Sequence, residues 1–236
     1  MPFPIATIGL IGGMSWESTV PYYRHINELV KQRLGGLHSA RSVLYSVDFH
    51  DIERLQHADR WDEAGALLAG AARSLEAAGA DFLVLCTNTM HKVAADIEAA
   101  VAIPLLHIAD PTAAAIKQAG IRSVGLLGTR FTMEQDFYRG RLETRHGLQV
   151  VIPDAADRET VHRVIYDELC LGIVREESRA AYRAIIGRLV AQGAEGIILG
   201  CTEIGLLVGP ADSPVPVFDT TRLHAESAVN LALDGK

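Results

Sequence analysis

Residues 192–203 read QGAEGIILGCTE, and residues 78–89 read AGADFLVLCTNT. The two stretches align without a gap at a distance of 114 positions. Each contains a glycine, an acidic residue, a short apolar run and a small polar turn. This order is typical of a helix end that is followed by a buried strand and a strand-to-helix turn. The pair therefore predicts that one α/β unit occurs twice in the chain.

Two further pairs keep nearly the same spacing. Residues 8–12 (IGLIG) resemble residues 124–128 (VGLLG), and the Tyr-Arg pair at 23–24 recurs at 138–139. Strand–turn–helix units often look alike, but three pairs in the same order favour a duplication over chance. The predicted first domain comprises residues 1–108 plus 212–236, and the predicted second domain comprises residues 109–211.

Short apolar runs alternate with stretches of helical periodicity, which predicts parallel sheets covered by helices. The predicted strands are Thr7–Ile11, Val43–Val47, Phe82–Leu85, Leu105–Ile108, Val124–Leu127, Val150–Ile152, Gly196–Leu199 and Val215–Phe218. The predicted helices are Trp61–Ala78, Thr112–Ala119, Val161–Leu171 and Ser178–Gln192, and Asp110 before Pro111 predicts a helix N-cap. Ligands bind at the carboxyl ends of parallel strands. The expected fold class is therefore α/β, with two pseudo-symmetric domains, each a parallel sheet flanked by helices, and an active site in the cleft between them.

Composition limits the class of protein. The chain has 236 residues, 49% of them hydrophobic, and a net charge of −7, which is typical of a globular protein. No basic block predicts a nucleic-acid partner, and no apolar run is long enough to predict a membrane span. No charged segment precedes the first apolar run, so a secretory signal is not supported. Three cysteines in a chain of this length predict a reducing, cytoplasmic location and not a disulfide scaffold.

Cys201 is the candidate reactive residue. It follows Gly200 at the end of an apolar run and precedes a short helical stretch. A helix N-terminus lowers the pKa of a thiol, so we expect a reactive cysteine, although a small buried apolar role is the alternative. The repeat aligns Thr87 with Cys201, whereas Cys86 aligns with Gly200. Neighbouring side chains of a strand point to opposite sides, which predicts Cys86 in the packed interior.

The polar turns predict contacts to a small ligand. The hydroxyl, amide and backbone N–H groups of residues 87–89 suit a carboxylate, and Thr202 offers the equivalent group in the second half. Ordinary helix capping is the alternative for these side chains. The turn at 12–15, with Met14, departs from the G-x-G-x-x-G pattern of a dinucleotide site, and its counterpart contains Thr129 and Thr132. The candidate ligand-binding residues at this point are Met14, Asn88, Thr89, Thr129, Thr132 and Thr202.

No cofactor is predicted. The sequence has no HExxH, no paired CxxC and no close histidine cluster, so a metal site is not indicated. None of its four lysines ends an apolar strand, which disfavours pyridoxal phosphate. His91 follows the Thr87 turn, and its role as a site residue or a structural residue is open.

The motifs resemble the aspartate/glutamate racemase superfamily, and most of all its broad-specificity amino-acid racemase branch. The matching segments are residues 9–17 (GLIGGMSWE), 86–92 (CTNTMHK), 125–129 (GLLGT), 133–138 (MEQDFY) and 200–203 (GCTE). The resemblance implies a cofactor-independent isomerase, often a homodimer, whose substrate is a small molecule, an amino acid. It also implies a mechanism with two cysteines, one on each face of the substrate Cα.

This chain departs from that pattern in two places. The first family cysteine corresponds to Thr87, whose hydroxyl is a far weaker acid than a thiol, so Cys201 is expected to be the one competent base. Aspartate-selective relatives carry a lysine where Cys170 stands and an arginine after the second strand, near Gln56. The loss of these cations predicts relaxed or neutral-leaning specificity. Arg54 or Gln56 is the candidate to take the place of the arginine, and Cys170 is a candidate pocket residue, with a core role on its helix as the alternative.

Three functional hypotheses follow. The leading one is a cofactor-independent amino-acid racemase with Cys201 and Thr87 as the catalytic residues. The alternatives are a decarboxylase or diacid isomerase on the same scaffold, and a non-catalytic amino-acid-binding protein.

Overall fold

The computed structural model describes residues 5–234. The chain divides into two compact units. The first comprises the residues up to Ile108 together with the residues from His224 onward, and the second comprises Ala109–Leu223.

The first unit is built on a four-stranded parallel sheet with the order β2-β1-β3-β4. Its strands are β1 (Ile8–Gly12), β2 (Ser42–Ser46), β3 (Phe82–Leu85) and β4 (Leu105–Leu106). Its helices before residue 109 are α1 (Trp16–Leu34), α2 (Phe49–His57), α3 (Trp61–Ala77) and α4 (Ala94–Glu98), with a 3-10 helix at Thr89–Val93. Every residue of β1 and β3 is buried, as expected for the central strands of a covered parallel sheet.

The second unit repeats this sheet with the order β6-β5-β7-β8, again all parallel. Its strands are β5 (Ser123–Gly128), β6 (Gln149–Val151), β7 (Gly196–Gly200) and β8 (Val217–Asp219). The α-helices from residue 109 onward are α5 (Ala109–Gln118), α6 (Arg130–Glu134), α7 (Ala155–Asp167), α8 (Glu176–Ala191), α9 (Ile204–Leu207) and α10 (Thr220–Asp234). The remaining helical turns are Arg141–Arg145, Leu169–Leu171 and Pro210–Asp212. The predicted α/β class with two similar parallel sheets is confirmed.

Side-chain caps begin several of the helices. The carboxylate of Asp48 accepts a hydrogen bond from the His50 N–H at 3.0 Å, and that of Asp154 accepts from the Asp157 N–H at 2.9 Å. These bonds satisfy N–H groups that a helix cannot pair internally. Residues that favour caps therefore locate the starts of α2 and α7.

Three details differ from the sequence predictions. The strand β8 belongs to the second sheet, so the chain returns to the first unit at His224 and not at residue 212. Helix α5 begins at Ala109, which places Asp110 inside its first turn, where the carboxylate accepts hydrogen bonds from the Arg141 guanidinium. The predicted helix Val161–Leu171 begins earlier, at Ala155, and its end is a separate 3-10 turn.

Cys86 lies in the core of the first unit. Its side chain is fully buried among apolar residues that include Ile8 and Val84. Burial raises the pKa of the Cys86 thiol far above its usual range. The prediction that this cysteine faces the packed interior is confirmed.

In the described part of the chain, no helix combines the length and the apolar character that crossing a bilayer requires.

Candidate active site

The end of β7 places Cys201 beside β5. A Cβ atom on Gly200 would lie 2.7 Å from Leu126 Cδ1 and 2.9 Å from the Leu127 carbonyl oxygen. Only glycine therefore allows this close approach of the two strands. Cys201 follows directly, and α9 begins three residues later, at Ile204.

The Cys201 thiol lies beside a buried carboxylate. Cys201 Sγ donates a hydrogen bond to Glu203 Oε2 at 2.9 Å, and the Thr202 hydroxyl donates to the same oxygen at 2.9 Å. All three residues are buried, and the Glu203 side chain is 1% exposed. A buried carboxylate with a thiol as its donor is an arrangement in which a proton can pass from sulfur to oxygen.

The expected lowering of the Cys201 pKa is wrong for this conformation. Burial raises the pKa of the thiol well above its usual value, and the negative charge of Glu203 and its hydrogen bond raise it further. Helix α9 has only four residues, so its dipole is too small to reverse the effect. The resting form of Cys201 is therefore the neutral thiol.

Cys170 and Tyr182 lie near the Cys201 thiol. Cys170 lies in the 3-10 turn Leu169–Leu171, which contacts α9, and a negative charge on its sulfur would raise the pKa of both Cys201 and Tyr182. Tyr182 is fully buried, and its hydroxyl donates to the Val161 carbonyl oxygen at 3.1 Å. Of the three described cysteines, all free, Cys170 is the one that is partly exposed.

The turn after β5 carries Thr129 and Thr132. The Thr129 side chain accepts a hydrogen bond from the Thr132 N–H at 3.3 Å, and the two hydroxyl oxygens lie 3.2 Å apart. The following N–H, of Arg130, donates to His162 Nδ1 at 3.2 Å. His162 thus ties α7 to this turn, a role that the sequence alone did not indicate.

The Thr87 turn follows β3 in the first unit. The Thr87 N–H donates to the Leu85 carbonyl oxygen at 2.8 Å, and the His91 ring bonds to the Thr87 carbonyl oxygen at 2.7 Å. Thr87, Asn88 and Thr89 are each at most 6% exposed. The chain after them forms the 3-10 helix Thr89–Val93, and Asn88 makes no side-chain cap on it.

Two other candidate residues lie in the first unit. The Gln56 amide donates to the Met90 sulfur at 2.9 Å, which places it beside the Thr87 turn. Met14 is buried in the turn after β1, where Gly13 has φ +91° and a Cβ would lie 2.3 Å from the Val47 carbonyl oxygen.

The candidate residues thus form two groups. The first unit holds Met14, Gln56, Thr87, Asn88 and Thr89, and the second unit holds Thr129, Thr132, Cys170, Cys201 and Thr202.

A family model described as Asp/Glu/Hydantoin racemase matches residues 11–228. This chain belongs to that family. The match spans most of both units, which confirms the resemblance seen in the sequence and the expectation of an isomerase of the racemase family.

Relatives of this racemase-family chain cover nearly its whole length. It is 25% identical over 234 residues to the broad specificity amino-acid racemase RacX of Bacillus subtilis (strain 168), covering 96% of this chain and 98% of RacX. A crystal structure of a candidate Asp/Glu racemase from Yersinia pestis is 64% identical, with a TM-score of 0.89 over 97% of this chain and 99% of that one. An aspartate racemase homologue from Pyrococcus horikoshii OT3 is 35% identical, with a TM-score of 0.81 over 96% and 98%.

Sequence reasoning missed Glu203 as a partner of the thiol. The signal was present, because an acidic residue two positions after Cys201 lies within the same turn. Among residues 5–234, no group of three or more His, Cys, Asp and Glu side chains is arranged to hold a metal ion.

Proposed function

We propose that the protein is a cofactor-independent amino-acid racemase that interconverts L- and D-amino acids, with Cys201 as the base and Thr87 on the other face of the substrate Cα. The observation that carries this proposal is the hydrogen bond from the buried Cys201 thiol to the Glu203 carboxylate. It supplies a proton acceptor for the thiol at the carboxyl end of a parallel strand. Thr87 follows the equivalent strand of a sheet with the same order.

The first step generates the base. Glu203 takes the thiol proton, and the thiolate removes the α-proton, so that the electron pair is delocalised into the substrate carboxylate. The raised pKa of Cys201 opposes this transfer in the free protein. The ammonium group of the amino acid favours it, because a nearby positive charge stabilises the thiolate.

The second step returns a proton to the opposite face. The Thr87 hydroxyl gives its proton to Cα, and water restores the hydroxyl, while Glu203 releases its proton to solvent. A hydroxyl is a poor base, so proton removal on the Thr87 face is the slow direction. By analogy with the family, the L form is the enantiomer that Cys201 deprotonates.

The remaining candidate residues bind the substrate. Hydroxyl and amide groups next to the two catalytic positions suit the α-carboxylate and the ammonium group. They belong to Asn88, Thr89, Thr129, Thr132 and Thr202. Met14, Gln56 and Cys170 would contact the side chain, and none of the three is a cation. Neutral side chains are therefore favoured over aspartate and glutamate.

We propose further that the enzyme is a cytoplasmic homodimer. The edge strand β2 and helix α1 form an exposed groove lined by Trp16, Thr19, Val20, Tyr23, Leu44 and Ser46. Parallel sheets are normally covered on both faces. Because the lining carries no charged residue, the groove meets a second copy of itself without like-charge repulsion, as a two-fold interface requires.

The test is proton NMR in D₂O with a panel of amino acids. A racemase removes the α-proton signal of its substrate and forms the other enantiomer, whereas a decarboxylase gives a new product and a binding protein leaves the spectrum unchanged. Cys201→Ser is expected to lower exchange by about 10²-fold or more, and the buried control Cys86→Ser to retain most of it. Equal loss in the two variants, with both folded, would contradict the assignment of Cys201.

A further inference from the structure

His91 binds the backbone on both of its ring nitrogens. The Ile108 N–H donates to His91 Nε2 at 3.2 Å, and His91 Nδ1 lies 2.7 Å from the Thr87 carbonyl oxygen. An N–H group only donates, so Nε2 is the acceptor, and a carbonyl oxygen only accepts, so Nδ1 carries the proton. The two partners together fix the neutral tautomer with its proton on Nδ1.

Other rings of the first unit enclose this imidazole. The ring of His107 lies 4.4 Å from that of His91, and the ring of His224 lies 6.0 Å away, centroid to centroid. His224 is itself held on both sides, because Tyr22 Oη lies 2.9 Å from its Nδ1 and the Leu106 carbonyl oxygen lies 2.9 Å from its Nε2. His91 is 3% exposed and has little room to change its orientation.

We infer that His91 is a positioning residue, which holds the Thr87 carbonyl so that the Thr87 hydroxyl stays aimed at the substrate Cα. This inference rests on the proposed function. The carbonyl and the hydroxyl belong to the same residue, so a fixed peptide plane limits where the side chain can point. The other bond, to Ile108, ties the turn to the residues just after β4.

The inferred role is confined to one half of the reaction. Reprotonation from Thr87 needs a donor within hydrogen-bond reach of Cα, and a displacement of about 1 Å can cost 10²-fold in rate. Proton removal by Cys201 involves a different turn, in the second unit. Loss of His91 should therefore slow inversion much more than it slows exchange of the α-proton.

Three variants separate positioning from stability. His91→Leu removes both hydrogen bonds. His91→Asn is the conservative variant, because its amide N–H can replace the Nδ1 donor to the Thr87 carbonyl. Tyr22→Phe removes a buried hydrogen bond of the same cluster and leaves both contacts of His91 in place. Thermal unfolding of each variant reports the change in stability.

The readout is the ratio of the rate of α-proton exchange to the rate of inversion. It is measured in D₂O with the L amino acid that exchanges fastest. NMR gives the rate of α-proton loss, and chiral chromatography gives the rate of formation of the D form. We expect His91→Leu to lower inversion by about 10- to 100-fold and to raise the ratio of exchange to inversion, with His91→Asn and Tyr22→Phe close to wild type.

A merely structural role predicts that both rates fall together, so an unchanged ratio in His91→Leu would overturn the inference. If that variant does not fold, His91→Phe, which keeps an aromatic ring and removes both hydrogen bonds, takes its place: a raised ratio supports the inference, and an unchanged ratio overturns it. Failure of the proposed function has a different signature, since the wild-type protein itself would then show no exchange with any amino acid.

Discussion

At the residue scale, the chemistry depends on where one proton resides. It lies between Cys201 Sγ and Glu203 Oε2, and burial together with the negative charge of Glu203 keeps it on sulfur. A substrate that brings a positive charge changes this balance only when it is bound. In the proposed mechanism, the reactive thiolate therefore forms when substrate is bound and not in the free protein.

Glu203→Gln should separate the acidity of the thiol from its catalytic competence. Without the carboxylate, two causes of the raised Cys201 pKa disappear, so the thiolate forms at lower pH. Alkylation by iodoacetamide at a fixed mildly alkaline pH should become faster. Isotope exchange should become slower by about 10²- to 10⁴-fold, because the proton acceptor is lost.

The control for this prediction is alkylation of Cys201→Ser, which identifies the modified residue by mass spectrometry. Faster alkylation together with undiminished exchange would mean that Glu203 only perturbs the thiol and takes no part in the proton transfer.

Thr87→Cys should narrow the difference between the enantiomers. A thiol on this face is a far better base than a hydroxyl, and each unit of pKa is worth about 1.4 kcal/mol. The initial rate of α-deuterium exchange from the D form should rise relative to that from the L form. Thr87→Ser keeps a hydroxyl and should preserve the wild-type asymmetry. Equal rates from both enantiomers in wild type would show that another base serves this face.

The sequence was sufficient to place Thr87 and Cys201 at equivalent positions, because a gapless repeat aligns residues without any knowledge of distance. It was not sufficient for the direction of the Cys201 pKa shift. That direction depends on burial and on which way the Glu203 side chain points, and both are set by packing.

At the element scale, the contact of β7 with β5 determines where Cys201 lies. Gly200→Ala should destabilise the protein by about 1–3 kcal/mol, because the new methyl group meets a backbone carbonyl that cannot move aside. It should also lower exchange, since relief of the clash displaces the next residue. Chemical denaturation and the NMR assay measure the two effects.

Gly187→Ala is the matched control for this variant. Gly187 is exposed in the interior of α8, and a Cβ there would meet nothing within 4 Å. This substitution should stabilise the protein by about 0.5–1 kcal/mol and leave exchange unchanged. Equal stability of the two alanine variants would contradict the packing argument.

All eight strands were predicted within a few residues, because central strands of covered parallel sheets are short apolar runs with glycine or polar residues at their ends. The unit to which β8 belongs was predicted wrongly. Its pattern suits an edge strand of either sheet, and only pairing with β7 assigns it to the second unit.

At the scale of the whole molecule, the groove of α1 and β2 makes the assembly testable. Tyr23→Lys places a charge in the groove at a side chain that is 55% exposed, so the fold should be unaffected. Two such charges would face each other in a symmetric dimer, and the mass in solution should fall to that of one 25.5 kDa chain. Analytical ultracentrifugation measures this change.

Leu37→Lys is the control, because Leu37 is fully exposed and lies outside the residues that line the groove. It should leave the mass unchanged. A monomeric wild-type protein, or a Tyr23→Lys variant that remains dimeric, would contradict the proposed interface.

The core of the first unit includes apolar residues from the last helix, α10. They are Ala225, Ala228, Val229 and Ala232. During synthesis these residues leave the ribosome only after residues 109–223 have emerged. The second unit is therefore the first to have all its parts, although its chain begins later. Until α10 has emerged, the nascent first unit lacks these apolar side chains, so one side of its strands β1 and β3 is only partly covered.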